Sequence, residues 1–116
     1  RRFEALLAGR SGLAQVRAAL VDLGATYQDR ADEILAQHRV VQSRPELLAR
    51  DFQLDQRWEQ AIAKALPDLP GRQARFQAAA MIGLARAVLR EWCAGGAKED
   101  LVALARDALN TLGDAR

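Results

Sequence analysis

Apolar residues recur at three- and four-residue steps along most of the chain, which is the spacing of amphipathic helices. The pattern predicts helices that begin near positions 3, 13, 29, 45 and 98, and a further helix over residues 76–89, after Gly71. Pro67 and Pro70 end the fourth of these, because proline lacks the amide hydrogen that continues a helix. Ala and Leu dominate while Val, Ile and Thr are sparse, which favours helix over strand. We therefore predict an all-α fold, an antiparallel bundle of about five to six helices.

Serine and acidic residues mark the expected helix starts. Ser11 is expected to cap the second helix. Ser43 and Glu46 have the spacing of a capping box, in which each side chain accepts a hydrogen bond from the other residue's amide. Glu99 and Asp100 suit the N terminus of the last helix, whose partial charge is positive. Because no capping residue precedes Phe3, we expect the chain to begin inside a helix.

The segment over residues 76–89 contains only two strongly polar side chains, so it has no obvious side for water. Within it Ala79, Gly83 and Ala87 stand four residues apart and allow another helix to approach closely. One layer of partner helices covers only one side of a helix. We therefore predict that the last two helices pair with those of a second subunit as a four-helix bundle. The alternative is that the small residues pack inside one subunit.

Charge and composition narrow the class of protein. The chain has 17 Lys and Arg against 15 Asp and Glu, spread evenly along it, and a net charge of +2. Such mixing supports solubility and lacks the one-sided basic patch of a nucleic-acid surface. The longest apolar run, over residues 78–85, is shorter than the ~20 residues that span a bilayer, and the N terminus does not resemble a signal peptide. We expect a cytosolic protein without membrane contact.

Residues that carry catalysis or bind metals are scarce. His38 is the only histidine and Cys93 the only cysteine, and they fall on different predicted helices. No cluster has metal-ligand spacing, and no glycine-rich phosphate loop occurs. We therefore expect no enzyme activity, no metal and no cofactor.

Several short motifs occur in an order that resembles one protein family. A helix start at Arg44, Pro45, Glu46 and Leu47 is followed by an Arg57–Trp58 pair. Further along come the alanines 78–80 with Leu84 and Ala87, the segment 89–92 that ends in Trp92, and the leucine-rich helix over residues 101–112. This order resembles the C-terminal region of TetR-type transcriptional regulators, most closely the actinobacterial branch related to mycofactocin gene clusters.

The resemblance implies an effector-binding and dimerisation domain over residues 1–116, in which residues 1–8 end the helix that links to a DNA-binding head. In such regulators an N-terminal helix-turn-helix, which this chain lacks, binds operator DNA, and an effector shifts the linking helix and the spacing of the two heads. The implied protein is a homodimeric repressor that a small ligand releases. Few charged residues lie on the inward stripes, so we expect an apolar or amphipathic ligand.

The resemblance places the ligand pocket among the first four helices and the near face of segment 76–89. The pocket candidates are Phe3, Leu20, Tyr27, His38, Phe52, Trp58 and Gln77. The candidates for the subunit contact are Ala79, Gly83, Ala87, Trp92, Leu101, Leu104, Ala108 and Leu112.

Each pocket candidate also has a structural interpretation. A histidine or tyrosine on an apolar stripe can be a core residue whose polar atom meets a backbone carbonyl. A tryptophan at helical spacing anchors packing more often than it binds a ligand. Gln77 is either a specific polar contact or an exposed edge. The competing function is a helical protein–protein interaction domain without a pocket.

Overall fold

The computed structural model describes residues 2–113, and within that range the chain is helical and has no strand. The six helices are α1 Arg2–Leu7, α2 Leu13–Asp29, α3 Ala31–Ser43, α4 Pro45–Lys64, α5 Gly71–Ala94 and α6 Leu101–Asn110. The predicted all-α fold is confirmed. Arg1, which the resemblance places in the linking helix, and residues 114–116 of the expected domain lie outside the described residues.

The helices pack around a continuous apolar core. The short turn over residues 65–70 brings α4 and α5 together as a hairpin, α1 packs on α2 and α4, and α6 lies against α2 and α5. Phe3, Val16, Ile62 and Met81 are fully buried in this core. A smaller cluster surrounds the fully buried Trp92, and its other buried members are Ile34, Cys93 and Leu101.

The predicted capping box at Ser43 is wrong. Ser43 is the last residue of α3, and its hydroxyl donates to the Val40 carbonyl oxygen at 2.7 Å. A serine hydroxyl at this position can cap the helix that follows or form a hydrogen bond within the helix that precedes. Here it donates to a carbonyl oxygen of its own helix. Arg44 is the N-cap of α4 without a side-chain hydrogen bond, and Pro45 is the first helical residue, where its missing amide hydrogen costs nothing.

The start of α2 also differs from the prediction. The N-cap is Gly12, which has a φ of +86°, and its amide donates to the Ala65 carbonyl oxygen at 2.8 Å. Glycine adopts this left-handed φ without steric cost. Ser11 does not cap the helix; its amide donates to Gln15 Oε1 at 2.9 Å. The start of α2 is therefore tied to the end of α4.

The turn between α5 and α6 is held by side chains from both ends. The Trp92 indole donates from Nε1 to the Glu99 carbonyl oxygen at 2.9 Å. Asp100 is the N-cap of α6, and its carboxylate accepts from the Ala103 amide at 3.2 Å. The expected acidic start of the last helix is confirmed for Asp100, whereas Glu99 precedes the cap. The turn directs α6 back onto α2, where the Leu101 amide donates to Gln28 Oε1.

One face of α5 is buried and the opposite face is open. Ala74, Ala78, Met81 and Ile82 face the core, with Trp92 and Cys93 at the far end. On the other side Ala79 and Gly83 are exposed, and Phe76 keeps 65 % of its surface accessible. A Cβ atom built on Gly83 would meet nothing within 4 Å. Ala79 and Gly83 therefore do not pack inside the subunit, whereas Ala87 is partly buried there.

Candidate functional site

A cavity of about 140 Å³ lies between α2, α4, α5 and α6. Its wall on the α2 and α6 side carries no charge and includes Leu20, Leu23 and Leu109. The α4 and α5 side adds more apolar surface and also carries all the charged groups of the lining, which are Asp51, Asp55 and Arg86. The site therefore combines an apolar interior with one charged side, as small-molecule pockets commonly do.

Arg86 is held in place by contacts with α4. Its Nε donates to Asp55 Oδ2 at 2.8 Å, and its Nη2 contacts the same oxygen. The Asp55 side chain is only 17 % exposed, so this ion pair is partly shielded from water. The guanidinium carbon also lies 5.1 Å from the centre of the Phe52 ring, a cation–π distance. Arg86 and Asp55 thus fix α5 against α4 beside the cavity.

Asp51 lies one helical turn before Asp55 and is exposed at the edge of the cavity. Partial burial raises the pKa of Asp51, and the neighbouring Asp55 raises it further, while Arg86 and His38 act in the opposite direction. Among the described residues Asp51 has no hydrogen bond or ion pair, since the Arg86 fork is occupied by Asp55. The site therefore contains one carboxylate that has no direct partner among the described residues and that Arg86 and His38 stabilise only from a distance.

Only part of the predicted pocket set lines this cavity. Leu20, Tyr27 and Trp58 line it, each from α2 or α4. Phe3 is fully buried, and its ring lies 5.1 Å from that of Trp58, so it contacts a lining residue from outside the lining. Phe52 is 48 % exposed and is not in the lining, although its ring lies against the lining residue Arg86.

The two polar pocket candidates lie elsewhere. His38 is half-buried on α3 and is not in the lining, although its electrostatic effect reaches Asp51. Gln77 is half-buried on α5, and its Oε1 atom has no hydrogen-bond partner among the described residues. The predicted location also differs from the cavity, since α1 and α3 contribute no lining residue and α6 contributes four, Leu101, Ala105, Ala108 and Leu109.

The residues predicted for the subunit contact fall into two groups. Ala79 and Gly83 are exposed, and Ala87, Leu104 and Leu112 are partly so. Trp92 and Leu101 are covered by their own subunit, with 0 % and 3 % of their surface accessible, and so present no area to a second subunit. Leu101 and Ala108 line the cavity instead. Leu101 and Ala108 face inward because the α5–α6 turn directs their side of α6 toward α2.

Sequence reasoning missed the three charged residues of the site. Asp51 and Asp55 stand four apart on α4, which places two carboxylates on one side of a helix. Arg86 is one of the two strongly polar residues in the otherwise apolar segment 76–89. A cation that interrupts an apolar helix needs a partner, and this signal pointed to an acid on a neighbouring helix.

A second depression, a wider groove of about 520 Å³, runs between α1 and α4. Charged side chains contribute much of its edge, and Arg57 contacts Glu4 there at 3.4 Å. The groove is open along its length, so it would leave a small molecule in water. The smaller cavity between α2, α4, α5 and α6 is therefore the candidate site.

No group of three or more His, Cys, Asp or Glu side chains among the described residues is arranged to hold a metal ion. None of the helices in this part of the chain combines the length and apolarity needed to cross a membrane.

The chain matches a known protein family. The family model described as the MftR C-terminal domain, which is a TetR-type C-terminal domain, matches residues 10–116. Comparisons with curated proteins and with solved structures found no match. The family match covers α2 to α6 and thus all the helices that line the cavity.

Proposed function

Because the chain belongs to the TetR-type C-terminal domain family described as the MftR C-terminal domain, we propose that it is the effector-binding and dimerisation domain of a cytosolic transcriptional repressor. Its role is regulatory and not catalytic. The effector is a small apolar or amphipathic molecule, and operator DNA is bound by a helix-turn-helix domain on the N-terminal side of residues 1–116, not by this chain. The cavity between α2, α4, α5 and α6 is the observation that carries this proposal.

The composition of the cavity supports an apolar or amphipathic effector. Leucine side chains from all four helices, together with Tyr27, Trp58, Ile82 and Val88, form most of its wall. Burying a ligand's apolar surface there contributes about 25 cal/mol per Å². A polyanion such as a nucleotide would bring its charge against leucines and two carboxylates, at a large desolvation cost.

The exposed face of α5 supports dimerisation. Ala79, Gly83 and Ala87 form a row of small residues on that face, and Phe76 lies at its start with most of its ring accessible. Small side chains let two helices approach closely, and the aromatic ring adds apolar area that water would otherwise cover. We propose that this face of α5, with the accessible side of Leu104, packs against the same face of a second subunit.

A route from the cavity to the N terminus is available through two aromatic rings. Trp58 lines the cavity, and its ring lies 5.1 Å from Phe3 in α1. Phe3 is fully buried, so a ligand that displaces Trp58 also displaces Phe3 or leaves a void beside it. In the proposed regulator α1 continues into the DNA-binding head. The free energy of switching is then the difference between two binding free energies of the ligand. One is for the domain with α1 in its original position, and the other is for the domain with α1 displaced.

The effector site can be tested with the two tryptophans of the chain, Trp58 in the cavity and Trp92 in the separate cluster. Hydrophobic compounds are first screened for an increase in melting temperature. Hits are then titrated against the variant Trp92→Phe, in which Trp58 is the only emitting tryptophan. We expect its emission to change with ligand, and we expect Trp92 in the matched variant Trp58→Phe to respond little.

Stabilisation by polyanions alone, or a response confined to Trp92, would contradict the proposed site. The competing function is an interaction domain without a pocket, which a core free of voids would have favoured. A cavity of about 140 Å³ in the described structure speaks against that alternative.

A further inference from the structure

The cavity is lined by more negative than positive side chains, and this imbalance determines which ligand charge it favours. Two carboxylates and one guanidinium line it, and the guanidinium is engaged by Asp55. Asp51 is left without an ion-pair partner among the described residues and lies at the edge of the cavity. At neutral pH the lining therefore has an excess of one negative charge at its accessible side.

The size of the cavity limits the apolar part of the ligand. Its volume of about 140 Å³ is close to the ~150 Å³ of an apolar cavity that binds benzene. Drug-sized ligands occupy pockets of roughly 300 Å³ or more. The interior of this partly open cavity therefore suits one ring or a branched alkyl group of similar size, and any further part of the ligand reaches the accessible edge beside Asp51.

We propose that the cavity binds a small cationic amphiphile, in which a single ring or equivalent alkyl group fills the apolar interior and a protonated amine contacts the Asp51 carboxylate. This inference rests on the proposed function, since it names the ligand class of the same site. The positive charge of an ammonium group compensates the Asp51 carboxylate, with which Arg86 forms no ion pair. The N–H groups of the ammonium also donate hydrogen bonds to the carboxylate oxygens.

A carboxylate-bearing ligand of the same size is disfavoured by the same groups. It would lie near Asp51 and Asp55, and it could pair with Arg86 only by competing with Asp55, which already accepts from both Nε and Nη2. Repulsion between the ligand carboxylate and these two aspartates would weaken binding. A neutral alcohol is intermediate, because it can donate one hydrogen bond to Asp51 without adding charge.

Three compounds of nearly equal shape separate these cases: 2-phenylethylamine, 2-phenylethanol and phenylacetate. Each is titrated at neutral pH and low salt, and Trp58 emission is recorded in the Trp92→Phe chain. We expect the amine to bind roughly three- to tenfold more tightly than the alcohol, the range between exposed ion pairs and shielded charge-assisted hydrogen bonds. Phenylacetate is expected to bind most weakly.

The charge effect is assigned to Asp51 by substitution. Asp51→Asn should remove the advantage of the amine and leave the affinity for 2-phenylethanol nearly unchanged, because the amide oxygen still accepts a hydrogen bond from the hydroxyl group. Asp68→Asn is the matched control, because Asp68 is an exposed carboxylate in the α4–α5 turn outside the lining. The control should keep the order of the three compounds.

The possible outcomes distinguish the inference from the proposed function. Equal binding of all three compounds leaves the cavity as the effector site and overturns the cationic ligand. Tightest binding of phenylacetate also overturns it and assigns the anchoring role to Arg86. If none of the three binds, the cationic single-ring ligand is overturned, and the compound screen then decides whether the cavity is an effector site at all.

Discussion

The substitution Gly83→Leu tests the proposed subunit contact because it should have opposite effects on the subunit and on the dimer. A Cβ at position 83 meets nothing within 4 Å in the subunit, so a leucine there finds open space. Leucine also favours helix over glycine by about 0.8 kcal/mol. The isolated subunit should therefore remain folded, with unchanged or slightly higher helix stability.

In the proposed dimer the same side chain stands between two α5 helices. Extra atoms in a packed contact cost about 1–3 kcal/mol per site, and the twofold axis places two leucines in it, so the cost is about 2–6 kcal/mol. Since about 1.4 kcal/mol corresponds to a tenfold change in affinity, the dissociation constant should rise by roughly 30-fold to 20,000-fold.

Sedimentation equilibrium over a range of concentrations measures the dimer, and far-ultraviolet circular dichroism measures the helices. The matched control is Ala36→Leu, which adds a leucine at an exposed position of α3 and should leave the dimer intact. An unaltered dimer in Gly83→Leu refutes the proposed contact. A wild-type chain that is monomeric at high concentration refutes the dimer itself.

Three further substitutions test the local physics of the fold. Gly24→Ala should stabilise α2 by about 1 kcal/mol in urea unfolding, because alanine favours helix over glycine and a Cβ there makes only ordinary contacts, the nearest at 3.8 Å. A loss of stability would contradict this and would mean that the added methyl group clashes with its neighbours. Asp51→Asn should be more stable than the wild type at neutral pH, because burial raises the pKa of Asp51 and thus penalises its ionised form in the folded state. That advantage should vanish as the pH falls toward the ordinary value of 3.8, and a difference that is the same at every pH would contradict this origin. Asp100→Ala should cost about 1 kcal/mol, because it removes the cap bond to the Ala103 amide, whereas the exposed Asp107→Ala should change stability by less than about 0.5 kcal/mol.

Helix ends show where local sequence is sufficient and where it is not. Pro45 as a first helical residue and Asp100 as a cap follow from a fixed dihedral angle and from one well-placed oxygen. Ser43 was ambiguous because its hydroxyl has acceptors and donors within reach on both sides. Its choice of the Val40 carbonyl depends on how the chain leaves α3, which the neighbouring helices determine.

Of the residues that line the candidate site, the sequence analysis identified only apolar and aromatic ones. Leu20, Tyr27 and Trp58 lie on helical stripes, and a stripe shows that a side chain faces inward. It does not show which neighbour it faces. Trp92 and Leu101 follow the same pattern as interface residues, yet the α5–α6 turn buries them within their own subunit.

The sequence by itself determined that the chain is helical, where the helices are interrupted, and that α5 carries more apolar surface than one set of neighbours covers. These properties follow from residue spacing and from the intrinsic behaviour of proline, glycine and alanine. Only the tertiary structure decided that Arg86 meets Asp55 across 31 residues of sequence, that Asp51 is left unpaired, and that α6 closes the cavity. Such contacts depend on the relative rotation of helices in space, and periodicity within one helix contains no information about that rotation.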